Sequence, residues 1–361
     1  MLTNYIGVIT SFESRALLKT LTSHRGISTV PIAGKYRAID FPLSYMINSG
    51  VKTINVLTNK NCRSLRTHLD VAKSWGLNRK NGGLIIHSED VPTDAELLMI
   101  NFNELYQSHE DMVVIAPTYM VCNLDLKKAM EFHELSDADI TVVYKNITDP
   151  SDSFIGCDIL DFNERNILTR VCDNFFPKKN INISTEVFLI KKDLLFSLLL
   201  SRPNREISLK DILYRSKNNL TIKGFEHKEY LSCLNSLGNY FKTNMDMIKT
   251  KNLKEVFFNE NRPIFSKIKD SIPTHYLNGA TVKNSIISNE CSIKGSVINS
   301  ILSRYVVVED GASIENCIVL QNCTIKSGAI LKNVIVDKEV VIEEGKSEGH
   351  ISYPLVIQRK I

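Results

Sequence analysis

The chain has 361 residues, of which 43% are apolar and 23% charged, with a net charge of +4. That length exceeds the roughly 250–300 residues that one core usually serves, so two domains are expected in an ordinary soluble protein. The small charge and the lack of a dense basic run argue against nucleic acid or a membrane surface as partner. The opening MLTNYIGVIT has no basic, then apolar, leader, and no apolar run approaches the roughly 18 residues of a membrane span. Eight cysteines without a C-x-x-C pair predict reduced, mostly buried thiols, a cytoplasmic location and no structural zinc site.

In chain order, residues 4–9 read as a buried strand. The stretch 10–25 contains no glycine, since none occurs between Gly7 and Gly26, and residues 13–19 read as helical. Gly34 opens a turn carrying Lys35 and Arg37. A helix follows with Pro42 in its first turn and Ser49-Gly50 as its stop. Taken singly, these bases read as solvated surface charge. Strands at 51–58, 82–87, 112–116 and 140–144 alternate with helices at 61–75, 94–108 and 124–136, which predicts a mostly parallel sheet with helices on both faces. Ligands of such sheets sit beyond the carboxyl ends of the strands. A hairpin is expected from 157–162 and 167–171 about Asn163-Glu164-Arg165, then a strand at 183–190 and a helix at 191–200.

Composition changes after residue 250. A polar linker, 251–275, precedes a repeat: GATVKNSI, GSVINSI, GASIENCI and GAILKNVI. Gly279, Gly295, Gly311, Gly328 and Gly345 recur at intervals of 16 or 17, and Asn284, Asn299, Asn316 and Asn333 at 15 or 17. Apolar residues every five or six positions in coils of about 17 predict a parallel β-helix of hexapeptides over 276–361, with glycines at corners and the asparagines stacked in a ladder. A lone coil cannot bury its own apolar edge, so the coils must stack. The competing architecture is an antiparallel sandwich of regular hairpins.

The stretch PIAGKYRAIDFPLSYMINSG, residues 31–50, resembles the G-G-K-Y-R-x-I-D-F-x-L-S-N-x-x-N-S-G signature of the ADP-glucose pyrophosphorylase (glucose-1-phosphate adenylyltransferase) family. Residues 183–190, ISTEVFLI, resemble that family's S-M-G-I-Y-V-F strand at the sugar site. SLKDILYRS resembles F-G-K-D-I-I-P, and Asn244-Met245-Asp246 matches N-M-D. The resemblance spans nearly the whole chain. It implies a Rossmann-like nucleotidyltransferase α/β domain over 1–250 and a left-handed β-helix over 276–361. The segment Cys122-Asn123-Leu124-Asp125 makes the GlgD-type regulatory branch the nearest likeness.

Several chemical positions of the family differ. The phosphate loop G-G-x-G-x-R-L has no glycine counterpart here. The metal-binding aspartate of G-D-H falls on Thr118, the second metal aspartate falls on Cys233, and the sugar-site E-K is absent. Nucleotidyl transfer needs a cradled triphosphate and a metal held by carboxylates. The resemblance therefore implies a regulatory, catalytically weak or silent subunit of ADP-glucose synthesis in glycogen formation. It would bind no metal of its own, magnesium being used by a catalytic homologue with which it forms a hetero-oligomer, a tetramer by family likeness. Arg25 and Arg37, with Lys35 beside them, match positions near the phosphates of an effector, so a sugar-phosphate effector is expected. The alternative is an active transferase with a rearranged metal site built from Asp125, Asp94 and Glu96, which also read as capping residues. A guanylyltransferase would want the same glycine loop. An acyltransferase would need a histidine on the coils, and none occurs between Tyr276 and Gly349.

Overall fold

The computed structural model describes residues 4–12, 18–60, 62–70, 72–79, 82–148, 152–201, 206–349 and 354–359. The α/β domain is built on a nine-stranded sheet of β1 (Tyr5–Ser11), β2 (Thr53–Asn59), β3 (Gly83–Glu89), β4 (Met112–Pro117), β5 (Ile140–Ile147), β6 (Asp158–Phe162), β7 (Leu168–Asp173), β8 (Ile181–Lys191) and β9 (Ile222–Glu226). The order β3-β2-β1-β4 is parallel throughout. β8 joins β4 antiparallel and carries β5, itself paired in parallel with β9, on its other edge. The β6–β7 hairpin meets β8 at Ile183. Its turn is held by Asn163, whose side-chain oxygen accepts from the Arg165 and Ile167 amides, each at 3.0 Å.

Near-continuous apolar runs suit strands covered on both faces. One apolar cluster packs Ile9, Val56 and Val114 under the helices Asp40–Asn48, Arg63–Leu69 and Leu126–Leu135. The other packs Val8, Val113 and Phe188 under Asp94–Ile100, Lys192–Leu200 and Leu209–Arg215.

Two expected helices are altered. The helix expected over 61–75 is Arg63–Leu69 followed by a 3-10 turn, Lys73–Trp75, because Asp70 and Ala72 both take positive φ and fold Trp75 back against His68, ring centroids 5.4 Å apart. The helix expected over 94–108 breaks at Asn101, whose side-chain amide donates to the Leu97 carbonyl at 2.9 Å, and resumes as Phe102–Tyr106. The helix expected over 13–19 lies mostly outside the described residues; a short helix, Lys19–Thr22, follows.

The C-terminal repeat forms three parallel five-stranded sheets, each taking one strand from every coil. Ile293, Val308, Ile325 and Ile342 fill one column of its core. The asparagines form the expected ladder. Asn284 Nδ2 donates to Asn299 Oδ1 at 2.9 Å, Asn299 to Asn316 at 3.1 Å, and Asn316 to Asn333. All four have φ between 45° and 55°, a left-handed corner that asparagine tolerates.

Residues 251–275 are packed rather than free. The helix Thr250–Phe257 comes first. Arg262 Nη2 then donates to both carboxylate oxygens of Glu229 at 2.6 and 2.7 Å, and Asn48 Nδ2 donates to the Pro263 carbonyl at 3.0 Å. The Phe265 amide donates to Ser44 Oγ at 2.8 Å. A fourth apolar cluster, including Ile32, Ala33, Phe41, Tyr240, Met247, Ile318 and Ile335, joins the α/β domain to the β-helix.

Candidate functional site

The sheet opens a cavity of about 330 Å³ at the carboxyl ends of β1 and β4, where parallel sheets bind ligands. One wall is set by a bulge in β8 between Ser184 and Val187. Ser184 Oγ accepts from the Glu186 amide at 2.9 Å and from the Tyr214 hydroxyl at 2.6 Å, while Thr185 Oγ1 donates to the Val143 carbonyl at 2.9 Å. This holds Glu186 at φ +56° and turns its carboxylate into the cavity. Glu186 stands where the family strand S-M-G-I-Y-V-F has glycine, the residue for which such a backbone is easiest.

The helix Leu209–Arg215, capped by Ser208, brings Lys210 to the same wall. Lys210 Nζ lies 2.6 Å from Asp158 Oδ2 and 2.7 Å from Glu186 Oε1. Burial works to lower the lysine pKa, but the two carboxylates outweigh it and raise it. Burial raises the Glu186 pKa against the pull of Lys210, and the Tyr119 hydroxyl donates to the Glu186 carboxylate. Neither Glu186 nor Asp158 is distinguishable in sequence from a surface acid. The signal lay in the pairing of an acid at a glycine position with the lysine of SLKDILYRS.

The two expected metal positions do not fit a divalent cation. Thr118 is fully buried between the lining residues Pro117 and Tyr119. Cys233 arrives on the short strand Leu231–Cys233, which pairs with Met120–Cys122, and its Sγ lies 3.5 Å from that of Cys157. Burial, then the neighbouring thiol, hold the Cys233 pKa well above the ordinary thiol value, so the thiolate a metal would need is disfavoured.

The alternative carboxylates are otherwise engaged. Asp94 accepts from Thr10 Oγ1 at 2.8 Å and from the Ala95 and Leu209 amides at 2.9 and 2.8 Å. Asp125 caps the helix Leu126–Leu135 and pairs with Lys128 at 3.0 Å. Glu96 follows the Thr93 cap in the first turn of its helix. Among the described residues, no three His, Cys, Asp or Glu side chains form a metal-holding group.

The predicted bases lie at the junction of the two domains. Arg25 Nη2 makes a 2.6 Å ion pair with Asp337 on the β-helix, both side chains being more than nine-tenths buried, and its Nη1 is buried without a hydrogen bond. Arg37 donates to Ser64 Oγ at 3.1 Å, and its amide donates to Asp40. Asp40 in turn lies 2.6 Å from His68 Nε2. Lys35 is exposed above the Tyr36 ring, 4.9 Å from its centroid.

The structure adds bases from elsewhere. Burial, then Arg37 and Arg25, bring the Lys338 pKa down to about 8. Burial and Arg304 lower that of Lys35, and burial, Arg304, Lys267 and Arg37 lower that of Lys269. Coils, packed segment and α/β domain thus contribute to one positive field. Lys338 and Arg304 carried no motif, so only folding could bring them into this group.

A family model for nucleotidyl transferases matches residues 16–159, and one described as GlmU-like, C-terminal hexapeptide, matches 272–351. The glycogen biosynthesis protein GlgD of Bacillus subtilis (strain 168) is 28% identical over 98% of this chain and 95% of its own length. GlgD of Geobacillus stearothermophilus is 31% identical over 85% of this chain and 82% of its own length. The glucose-1-phosphate adenylyltransferase of Lachnospira eligens is 30% identical, with 81% and 71% covered.

Proposed function

The chain belongs to the family of GlgD proteins and glucose-1-phosphate adenylyltransferases, and on that premise we propose that it is a regulatory, catalytically weak or silent subunit of ADP-glucose synthesis in the cytoplasm. The observation that carries this reading is the state of the strand-end cavity: Lys210 is matched by Asp158 and Glu186, and the two expected metal positions are Thr118 and Cys233. Phosphoryl and nucleotidyl transfer depend on positive groups and metal aimed at developing negative charge. Here the base is matched by two carboxylates, and Thr118 and Cys233 supply no carboxylate where the family holds metal.

The reading assigns regulation to the junction. Arginine forks bind phosphate bidentately, and Arg25 has a buried nitrogen making no hydrogen bond. A sugar-phosphate effector held by Arg25, Arg37 and Lys35 would lie beside Asp337 and Lys338 of the β-helix, and it would bias a partner by its differential affinity for the partner's two states. The partner in this reading is a catalytic homologue, in a hetero-oligomeric tetramer.

The test is reconstitution. The isolated chain, given magnesium, ATP and glucose 1-phosphate, is expected to show no turnover in the ordinary enzyme range of about 1–1,000 per second. Mixed with a catalytic homologue, it is expected to co-elute and to alter maximal rate or effector response. Turnover by the isolated chain in that range, or separate elution with unchanged kinetics, overturns the proposal.

A further inference from the structure

We infer that Cys157 and Cys233 form a redox modification site, a thiol pair in the wall of the strand-end cavity that peroxide converts to a reversible disulfide. The two residues lie 76 positions apart in the chain, and folding brings their Sγ atoms to 3.5 Å, which is contact distance for two sulfurs. Cys157 is 3% exposed and Cys233 fully buried, yet both line the cavity of about 330 Å³, which has ample room for a molecule the size of hydrogen peroxide. The chemistry of the pair is the same whether the chain transfers nucleotides or regulates a partner.

The backbone on either side shows where closure is taken up. Cys157 ends a turn, after Gly156 at φ +80° and just before the strand Asp158–Phe162. Asn174 clamps that turn: its carbonyl accepts from the Gly156 amide at 2.7 Å, and its amide donates to the Cys157 carbonyl at 2.9 Å. Cys233 ends the strand Leu231–Cys233, opposite Met120. A disulfide holds its sulfurs about 2.05 Å apart, so closure draws them together by roughly 1.5 Å. Side-chain rotation at a turn and at a strand end accommodates a shift of that size with the core strands in place. Beyond Cys233, the Leu234 amide donates to the Tyr119 carbonyl at 2.9 Å, and the helix Leu237–Ile248 sends Tyr240 and Asn244 to the backbone of Pro31 and Ala33. The bridge therefore ties the cavity wall to the element that leads to the domain junction.

Hydrogen peroxide is the oxidant. One sulfur, as thiolate, attacks a peroxide oxygen; the O–O bond breaks, the sulfur becomes a sulfenic acid, and the other oxygen leaves as water with the thiol proton. The second sulfur then attacks the first. An S–S bond forms, the S–O bond breaks, and the sulfenic hydroxyl leaves as a second water with the remaining thiol proton. Each sulfur gives up one electron, and the peroxide takes both. Contact between the sulfurs makes the second step intramolecular, which forestalls further oxidation of the sulfenic acid. Burial, then the neighbouring thiol, raise the Cys233 pKa, so its thiolate is scarce near neutrality and oxidation quickens as pH rises. In a reducing compartment the resting pair is a dithiol, and thiol exchange restores it after oxidation.

Millimolar hydrogen peroxide on the folded full chain at pH 8, followed by alkylation in denaturant, thiol titration and peptide mass spectrometry, tests the site. Titratable thiols are expected to fall by two from the chain's eight, with the peptides holding Cys157 and Cys233 joined in one species, and dithiothreitol is expected to restore all eight. The oxidised chain should unfold at a higher urea midpoint than the reduced one, because the bridge closes a long loop of the unfolded state. Cys157→Ser should abolish the joined species, and Cys233→Ser should abolish it and let Cys157 accumulate as sulfinic acid. Cys172→Ser, a half-buried thiol outside the pair, should leave the bridge unchanged. The wild-type readings stand by themselves if a variant fails to fold. No joined 157–233 species in the wild type, a different cysteine pairing in its place, sulfinic acid at Cys157 or Cys233 in place of the bridge, or an oxidised midpoint no higher than the reduced one overturns the inference.

Discussion

Individual side chains at the junction and in the core carry separable, measurable effects. Arg25 has one nitrogen on Asp337 and one without a hydrogen bond, and Arg37 leans on Ser64. In the reconstituted complex, Arg37→Ala should raise the effector concentration for half-activation by about 10-fold or more, since a hydrogen bond to a charged group is worth about 1.5–3 kcal/mol. Arg25→Lys keeps a cation for Asp337 but loses the planar fork, and should weaken activation similarly. Unchanged activation curves for both would remove the effector role. His227 gives a pH prediction. Burial, opposed by its hydrogen bond to the Tyr230 carbonyl, depresses its pKa to about 4. The folded chain keeps the ring neutral where the unfolded chain, with an ordinary pKa near 6.5, takes up a proton. Its contribution is therefore intact above about 6.5 and is lost as pH falls toward 4, with about 2 kcal/mol gone by pH 5. Urea unfolding at pH 7 and pH 5 should show a smaller loss in His227→Gln than in wild type, and parallel losses would clear the histidine of the effect.

At the scale of elements, the coils were the most legible part of the sequence, because one physical constraint repeats in every turn. Gly295 shows how tight that constraint is: a Cβ there would lie 2.3 Å from the Ala312 carbonyl oxygen and 2.8 Å from that of Glu309. Both neighbours are backbone and cannot swing aside. Gly295→Ala should cost about 1–3 kcal/mol by overpacking, read as a lowered midpoint in chemical unfolding. Asn316 sits mid-ladder, accepting from Asn299 and donating to Asn333, while Asn284 at the end has one ladder bond. Asn316→Ala should therefore destabilise by about 1–3 kcal/mol and Asn284→Ala by less, and equal losses would count against the ladder as a source of stability. The α/β elements were legible in type but not in extent. Helical periodicity ran straight through Asn101 and Asp70, because a side-chain amide competing for a carbonyl and a positive-φ residue leave no mark on apolar spacing. The bulge that aims Glu186 was likewise hidden, since its strand is buried on both faces and offers no in-and-out alternation for an inserted residue to break.

Over the whole molecule, the matched motif residues turn out to fix the turn around Gly34 and the segment after Phe257 on which the β-helix is seated, while the departures gather around the strand-end cavity. Gly34, at φ +79°, runs so close to the β-helix that a Cβ would lie 2.6 Å from Ser288 Oγ. Asp40 anchors the Arg37 amide and His68, Ser44 and Asn48 pin the segment after Phe257, and Asn244 Oδ1 accepts from the Ala33 amide at 2.9 Å. The Tyr240 hydroxyl donates to the Pro31 carbonyl at 2.8 Å, and Tyr36 stacks on Phe257 with centroids 4.4 Å apart. Sequence likeness disclosed the fold more fully than the site because the matched residues secure the backbone around Gly34 and the segment after Phe257, whereas Glu186 and Lys210 acquire meaning only through their pairing in space. The docking itself makes the last prediction. Arg25 and Asp337 are a buried ion pair bridging the domains, with side-chain exposures of 8% and 9%. Removing one partner of such a pair leaves an uncompensated buried charge and typically costs about 3–5 kcal/mol. Asp337→Ala should lower stability by that amount. Inorganic phosphate should restore part of it, because an anion binding beside Arg25 replaces the missing carboxylate and stabilises the folded state by mass action. Chemical unfolding of wild type and Asp337→Ala, each with and without phosphate, reads both effects. A loss below about 1 kcal/mol, as for an exposed pair, would show that the junction does not depend on this bridge. A phosphate gain no larger in the variant than in wild type would show that the freed arginine does not collect the anion.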